Sequence, residues 1–146
     1  MDPILLDTCM LRHYLGKEAK VKTPELASRV GSILAAGPHL SIVSAYELDR
    51  WCHLLTLRGG GQQKRRILEL WMSEAIVYDM TRPVWGLAAF MHAQAATKNI
   101  TFGESDLLIL ATAVVHGRRV LTTDTSFSRN AGAVGVAASI ELVALA

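Results

Sequence analysis

The sequence predicts an α/β fold of three layers, with a central parallel sheet covered by helices on both faces. Short apolar strand-like runs alternate with longer segments whose apolar residues recur at helical spacing, and this alternation builds parallel sheets with helical crossovers. The chain has 146 residues, 51% hydrophobic and 19% charged, which suits one compact domain spanning residues 1–146. No repeat with a period of roughly 20–50 residues and no low-complexity tract divides it. At this length a single core suffices without a metal or disulfide staple, so a bound ion would need a functional reason.

Ile4–Leu6 is the first strand, and Thr8–Leu15 begins a helix that Gly16 ends. Pro24 stands in the first turn of a helix over residues 25–36, closed by Gly37 and Pro38. Residues 40–43 form the second strand. From residue 45 to about 57, Leu48, Trp51, Cys52 and Leu55 recur at helical spacing until Gly59, Gly60 and Gly61 stop the run. Residues 62–73 make the next helix and 75–78 the third strand. Pro83 opens a helix over 84–97 with Leu87, Met91 and Ala95 on one face, and 106–116 is an almost wholly apolar helix. Arg119–Thr122 is a strand, 135–138 a last short strand, and 140–145 a terminal helical turn or two.

Several function classes fall away. The longest uncharged run, 30–46, is broken by Gly37-Pro38, and 84–97 and 107–115 fall short of the ~20 residues of a membrane-spanning helix. Asp2 and Asp7 bracket too short an apolar stretch for a secretory signal, so a cytoplasmic protein is expected. Cys9 and Cys52 read as reduced, packed thiols. A net charge of +2 is too small to mark a polyanion partner by itself.

In an open parallel sheet, functional side chains collect beyond the carboxyl ends of the strands. Asp7 ends the first strand, Glu47 follows the second in the first turn of its helix, and Asp124 follows the fourth. Asp106 reaches the same edge because its helix descends ~16 Å and the next strand climbs the same distance back. Each acid has an ordinary explanation as well: Asp7 and Asp106 as helix caps, Ser44 to Glu47 as a capping box, Asp124 as a turn former. Together they repel, by ~4 kcal/mol per pair at ~4 Å and an effective dielectric near 20. A divalent cation removes that strain, and oxygen-only ligands favour Mg²⁺ or Mn²⁺ with a phosphate substrate.

The segments Ile4-Leu5-Leu6-Asp7-Thr8, Ser44 to Leu48, Asp106-Leu107-Leu108-Ile109-Leu110-Ala111-Thr112-Ala113 and Leu121-Thr122-Thr123-Asp124-Thr125-Ser126-Phe127 resemble, in order and spacing, the PIN-domain ribonucleases. Within that family the chain is most similar to the VapC toxins of bacterial toxin–antitoxin pairs, over nearly its whole length. The resemblance carries the family's four acids onto Asp7, Glu47, Asp106 and Asp124, and a hydroxyl position beside the metal onto Thr122. It implies the strand order 3-2-1-4-5, a homodimer, a small VapB-like antitoxin partner, and endonucleolytic cleavage of structured RNA such as tRNA or rRNA. On this reading Asp7, Asp106 and Asp124 hold one or two divalent ions, and Glu47 supplies a ligand or orients the attacking water. A PIN nuclease acting in RNA processing or on DNA is the alternative.

Other groups carry less. Arg58, Lys64, Arg65 and Arg66 form the densest basic cluster, serving either RNA phosphates or a solvated helix start, and with the three glycines they belong to no motif that carries over. Arg118 and Arg119 precede a strand and so sit at the edge opposite the acids. Cys9 and His13 lie four apart, but Cys52-His53 lacks a matching spacing and a zinc site is not expected. His13, His39, His53, His92 and His116 read as core or surface residues. Trp51, Trp71 and Trp85 fall at apolar helix positions, as core or dimer interface rather than base-stacking platforms. A phospho-acceptor receiver domain also gathers acids at strand ends, but Asp7 has no acidic neighbour and no lysine follows 135–138.

Overall fold

A computed structural model describes residues 4–15 and 24–142. Strands β1 (Ile4–Leu6), β2 (His39–Ser41), β3 (Ile76–Tyr78), β4 (Arg119–Thr122) and β5 (Ile140–Leu142) form one sheet in the order β3-β2-β1-β4-β5. Every pairing is parallel, with Leu5 opposite His39 and Val120, Leu40 opposite Val77, and Leu121 opposite Glu141. The helices are α1 (Thr8–Leu15), α2 (Pro24–Ala35), α3 (Ile42–Arg58), α4 (Gln62–Glu74), α5 (Arg82–Thr97), α6 (Glu104–Val115) and α7 (Thr125–Ala133).

The two-residue period of a strand divides the core. Leu5 and Val120 point to one face, where they pack with Val84, Met91, Leu107, Leu110 and Phe127 from α5, α6 and α7. Leu6, Leu40 and Leu121 point to the other, against Met10, Val30, Leu48, Leu68 and Trp71 from α1 to α4. These are the three expected layers. Gly37 has a φ of +90° and a Cβ there would come within 2.9 Å of the Glu74 carbonyl, so glycine is what lets the turn before β2 pass the end of α4. At the outer margin, Glu141 of β5 pairs with Arg29 of α2 and with Arg119 of β4.

Three local expectations are corrected. Ile42 and Val43 open α3 instead of ending β2: the Ser41 side chain accepts the Ser44 N–H at 3.1 Å and caps the helix one turn earlier than the Ser44 to Glu47 box predicts. Residues 125–133 form α7, where the sequence reading has only a turn at Asp124 and no helix. The C-terminal assignment is exchanged, since Ala137–Ser139 is a 3-10 turn and Ile140–Leu142 is the strand paired to β4. Residues 143–145 and Gly16 lie outside the described residues. Cys9 and Cys52 are free thiols. Trp71 is buried and Trp51 packs on the core, but Trp85 stands 49% exposed at the start of α5. No described helix is long and apolar enough to cross a membrane.

Candidate functional site

With the exception of Thr112, every buried polar residue among those described, Asp7, Thr8, Ser41, Ser44 and Thr122, lies at the carboxyl edge of the sheet. Buried polar groups survive when they are bonded, and these bond one another. Asp7 leaves β1 with its N–H on the Leu121 carbonyl at 3.0 Å, which fixes its height against β4. Its Oδ2 accepts the Thr122 hydroxyl at 2.7 Å and the Cys9 thiol at 3.0 Å. Thr122 in turn accepts the Asp124 N–H at 3.1 Å, so one buried hydroxyl ties the first acid to the backbone of the fourth. Burial and the Asp7 charge push the Cys9 thiol up to about 11, which keeps it a proton donor.

Glu47 sits in the second turn of α3, a turn later than the sequence reading has it, and no capping box is formed. The Thr8 hydroxyl donates to Glu47 Oε1 at 3.0 Å and lies 3.2 Å from Ser44 Oγ. On the other oxygen, Arg50 reaches only to 3.9 Å of Oε2. Asp124, expected as a turn former, instead caps a helix: its Oδ1 accepts the N–H groups of Ser126 and Phe127 at 2.9 and 3.3 Å at the start of α7. Among the described residues, Asp7 and Asp124 each have one carboxylate oxygen engaged and the other uncommitted, while Glu47 Oε2 meets only the long ion pair to Arg50.

Asp106 is different. Gly103, not Asp106, occupies the cap position of α6, and Asp106 lies within the first turn. A helix N-terminus ordinarily favours a negative charge. Yet its carboxyl is pushed from 3.8 up to about 7, first by burial and then by the charges of Asp7, Asp124 and Glu47. The four acids named from the sequence therefore share one electrostatic neighbourhood. The basic cluster does not join them: Arg58 ends α3, eleven residues and about 16 Å of helix beyond Glu47. Arg65 is already held by Thr56 at 3.1 Å and by Glu69 at 3.6 Å. The residues missed by sequence reasoning are the supporting hydroxyls Thr8, Ser41 and Ser44 and the Cys9 thiol. The only signal for them was the run of small polar residues just after two strands.

Among the described residues, no group of three or more His, Cys, Asp or Glu is disposed to hold a metal ion as the side chains stand. The chemistry of the donors nonetheless fits a hard divalent cation. They are carboxylate oxygens, those of Asp7 and Asp124 each with one left uncommitted among the described residues and Glu47 Oε2 held only by a long ion pair, around a fourth carboxyl whose ionisation the others oppose. Mg²⁺ in particular takes one or two carboxylates and keeps several waters. Carboxylates that repel one another stand apart until a cation screens them.

A family model described as the PIN domain matches residues 4–133. No curated protein sequence matches the chain significantly. Among solved structures, the chain is similar to FitAcB from Neisseria gonorrhoeae, with 26% identity, a TM-score of 0.66, and coverage of 94% of this chain and 95% of that one. It is similar to DNA-bound VapBC from Salmonella typhimurium at 18% identity and a TM-score of 0.66, covering 99% and 98%. VapBC2 from Rickettsia felis, bound to a DNA fragment from its promoter, follows at 14% and 0.68, covering 88% and 92%. The latter two speak for the fold alone. With the family match running from β1 through α7 and the sheet in the order 3-2-1-4-5, the chain belongs to the PIN-domain family, whose members are nucleases that generally use divalent metal ions.

Proposed function

We propose that the chain is a metal-dependent endoribonuclease, the toxin of a toxin–antitoxin pair, that hydrolyses phosphodiester bonds in structured RNA such as tRNA or rRNA. It acts as a single domain over residues 1–146, in the cytoplasm, as a homodimer restrained by a small VapB-like antitoxin. The observation that carries the reading is the carboxyl edge itself, which gathers Asp7, Glu47, Asp106 and Asp124 and where burial and then the other three carboxylates raise the Asp106 carboxyl to about 7. The likeness to VapBC structures supports the antitoxin partner.

Asp7, Asp106, Asp124 and Glu47 would hold Mg²⁺ or Mn²⁺, three of them through the oxygens that Thr122, Thr8 and the α7 cap leave free. When bound, the cation supplies Lewis acidity to the attacking water and to the charge that grows on the phosphate. Thr122 keeps Asp7 and Asp124 in register. With its carboxyl raised to about 7, first by burial and then by the neighbouring acids, Asp106 would give up its proton on holding a cation. Arg58, Lys64 and Arg66 offer charge to the RNA backbone away from the cleavage point.

The test is cleavage of bulk tRNA and of single-stranded DNA by purified protein. EDTA should stop tRNA cleavage, Mg²⁺ or Mn²⁺ should restore it, and Ca²⁺, larger and looser in its geometry, should restore it poorly. Activity that survives thorough chelation, or cleavage confined to DNA, would overturn the reading.

A further inference from the structure

A threonine in the first turn of a helix ordinarily spends its hydroxyl on backbone a few residues away. Thr8 does not. Its partners, Ser44 Oγ and Glu47 Oε1, are 36 and 39 positions distant, on α3. Thr8 is 5% exposed, and Ser41 and Ser44 are fully buried. Ser44 Oγ lies 3.4 Å from Ser41 Oγ, whose oxygen also caps α3. Three buried hydroxyls thus run from the cap of α3 to the start of α1 and end on one carboxylate oxygen. A valine would fill the Thr8 position with no polar atom to satisfy, so packing does not explain the hydroxyl.

Glutamate explains it. Of the four acids Asp7, Glu47, Asp106 and Asp124, Glu47 alone has the longer side chain, and such side chains lose the most rotamer freedom when fixed. Asp7 is fixed by Thr122 and Cys9, and Asp124 by its own helix cap. Without Thr8, the only other polar contact on the Glu47 carboxylate among the described residues is Arg50 at 3.9 Å, from a half-exposed side chain on the same helix.

We propose that Thr8 is the positioning residue of Glu47: the Thr8 hydroxyl, steadied by Ser44, fixes Oε1 and so leaves Oε2 as the oxygen presented to a cation. This rests on the reading of Glu47 as a cation ligand. It adds a residue whose work is done through another side chain, and it links α1 to α3 across the site.

The experiment is calorimetric titration of Mn²⁺ into the RNA-free protein, for the parent, Thr8→Val, Thr8→Ser, Glu47→Gln and the Thr8→Val/Glu47→Gln pair. Loss of a hydrogen bond that orients a metal ligand costs roughly 10–100-fold in affinity, so Thr8→Val should bind Mn²⁺ about tenfold more weakly. Thr8→Ser, which restores the hydroxyl, should stay within about threefold of the parent. In the Glu47→Gln background Thr8→Val should add less than about twofold, because the two act as one unit. On bulk tRNA, Thr8→Val should lower kcat with KM little changed. Should Thr8→Val fail to fold by circular dichroism, Ser44→Ala takes its place, with an expected weakening of about two- to fivefold. Parent-like Mn²⁺ affinity in Thr8→Val or in Ser44→Ala overturns the proposal, as does a full tenfold loss that persists in the Glu47→Gln background. Parent-like affinity in Glu47→Gln alone removes Glu47 from the ligand set and the proposal with it, and that single variant tells the two failures apart.

Discussion

The two ends of α6 hold ionisable groups toward their neutral forms, and they do so by opposite means. At the N-terminal end the Asp106 carboxyl rises to about 7 although a helix N-terminus favours its charge. At the other end His116 packs on the Tyr78 ring in a tilted arrangement, centroids 4.6 Å apart, and the Tyr78 hydroxyl lies 2.8 Å from Nδ1 of His39 on β2. Burial and then Arg118 hold His39 below its usual value. The neutral imidazole has a hydroxyl partner supplied by the chain. Asp106 accepts no hydrogen bond among the described residues and faces three like charges. A perturbed ionisation points to a ligand where the protein leaves the perturbation uncompensated, and only one end of α6 meets that condition.

The largest expected effect tests the uncompensated end. Asp106→Asn should lower tRNA cleavage by on the order of 10³-fold while leaving the fold intact. In the absence of divalent ions it should also be the more stable protein at pH 8, by about 1 kcal/mol once solvent screening is allowed for. The sign follows from the raised carboxyl. The folded state binds this proton more tightly than the unfolded chain, so the parent loses stability as pH rises from 3.8 to about 7, and the asparagine variant does not. Chemical denaturation at pH 4 and pH 8 measures it, and a variant less stable than the parent at both would mean that Asp106 is compensated after all.

A smaller effect tests the satisfied end. Tyr78→Phe removes the hydroxyl from His39 and should cost about 0.5–1.5 kcal/mol of stability, with tRNA cleavage unchanged. The pH slope there has the opposite sign. His39 lies below its ordinary 6.5 when folded, so its contribution is present above that value and is lost as pH falls below it. Impaired cleavage in Tyr78→Phe would show that the two ends of α6 are coupled and would end the contrast.

The smallest effect bounds how far the acid site extends. Arg58→Gln and Arg66→Gln should each lower the slope of log K against log salt for RNA binding by ~0.7–0.9 if they meet a phosphate. Arg65→Gln should leave the slope alone and change stability by less than ~1 kcal/mol, since Thr56 and Glu69 already hold that guanidinium. An unchanged slope in all three would take α3 and α4 off the RNA path.

The sheet and the clustering of its acids were legible because strand ends and helix lengths are linear quantities. Ile4 to Leu6, an apolar run, and Arg119 to Thr122, with Val120 and Leu121 at its centre, are strands whose boundaries the structure keeps. The strand order came from resemblance to a family, not from the pattern of residues. What failed was local and marginal. Ile42 and Val43 are β-branched and read as strand, but the Ser41 oxygen captures the Ser44 N–H and starts the helix first. Helix α7 has few apolar residues, and its existence depends on the Asp124 cap and on Phe127 packing against Phe102 at 6.0 Å. At the C-terminal end two short runs of small apolar residues compete, and pairing of Thr122 with Leu142 decides between them. The role of Thr8 could not be read, because its partners Ser44 and Glu47 lie on a different helix.

Glu141 has a consequence for the life of the molecule among other chains. The margin of a sheet is a row of unmet N–H and C=O groups on which a stray strand can polymerise. Here that margin is three residues long, with a carboxylate at its centre clamped by Arg29 from the covering helix and Arg119 from the neighbouring strand. The clamp ties the last strand down at a place where local sequence barely specifies it. The buried part of the charge also makes the margin a poor template for growth. The β5 margin is thereby closed to a stray strand.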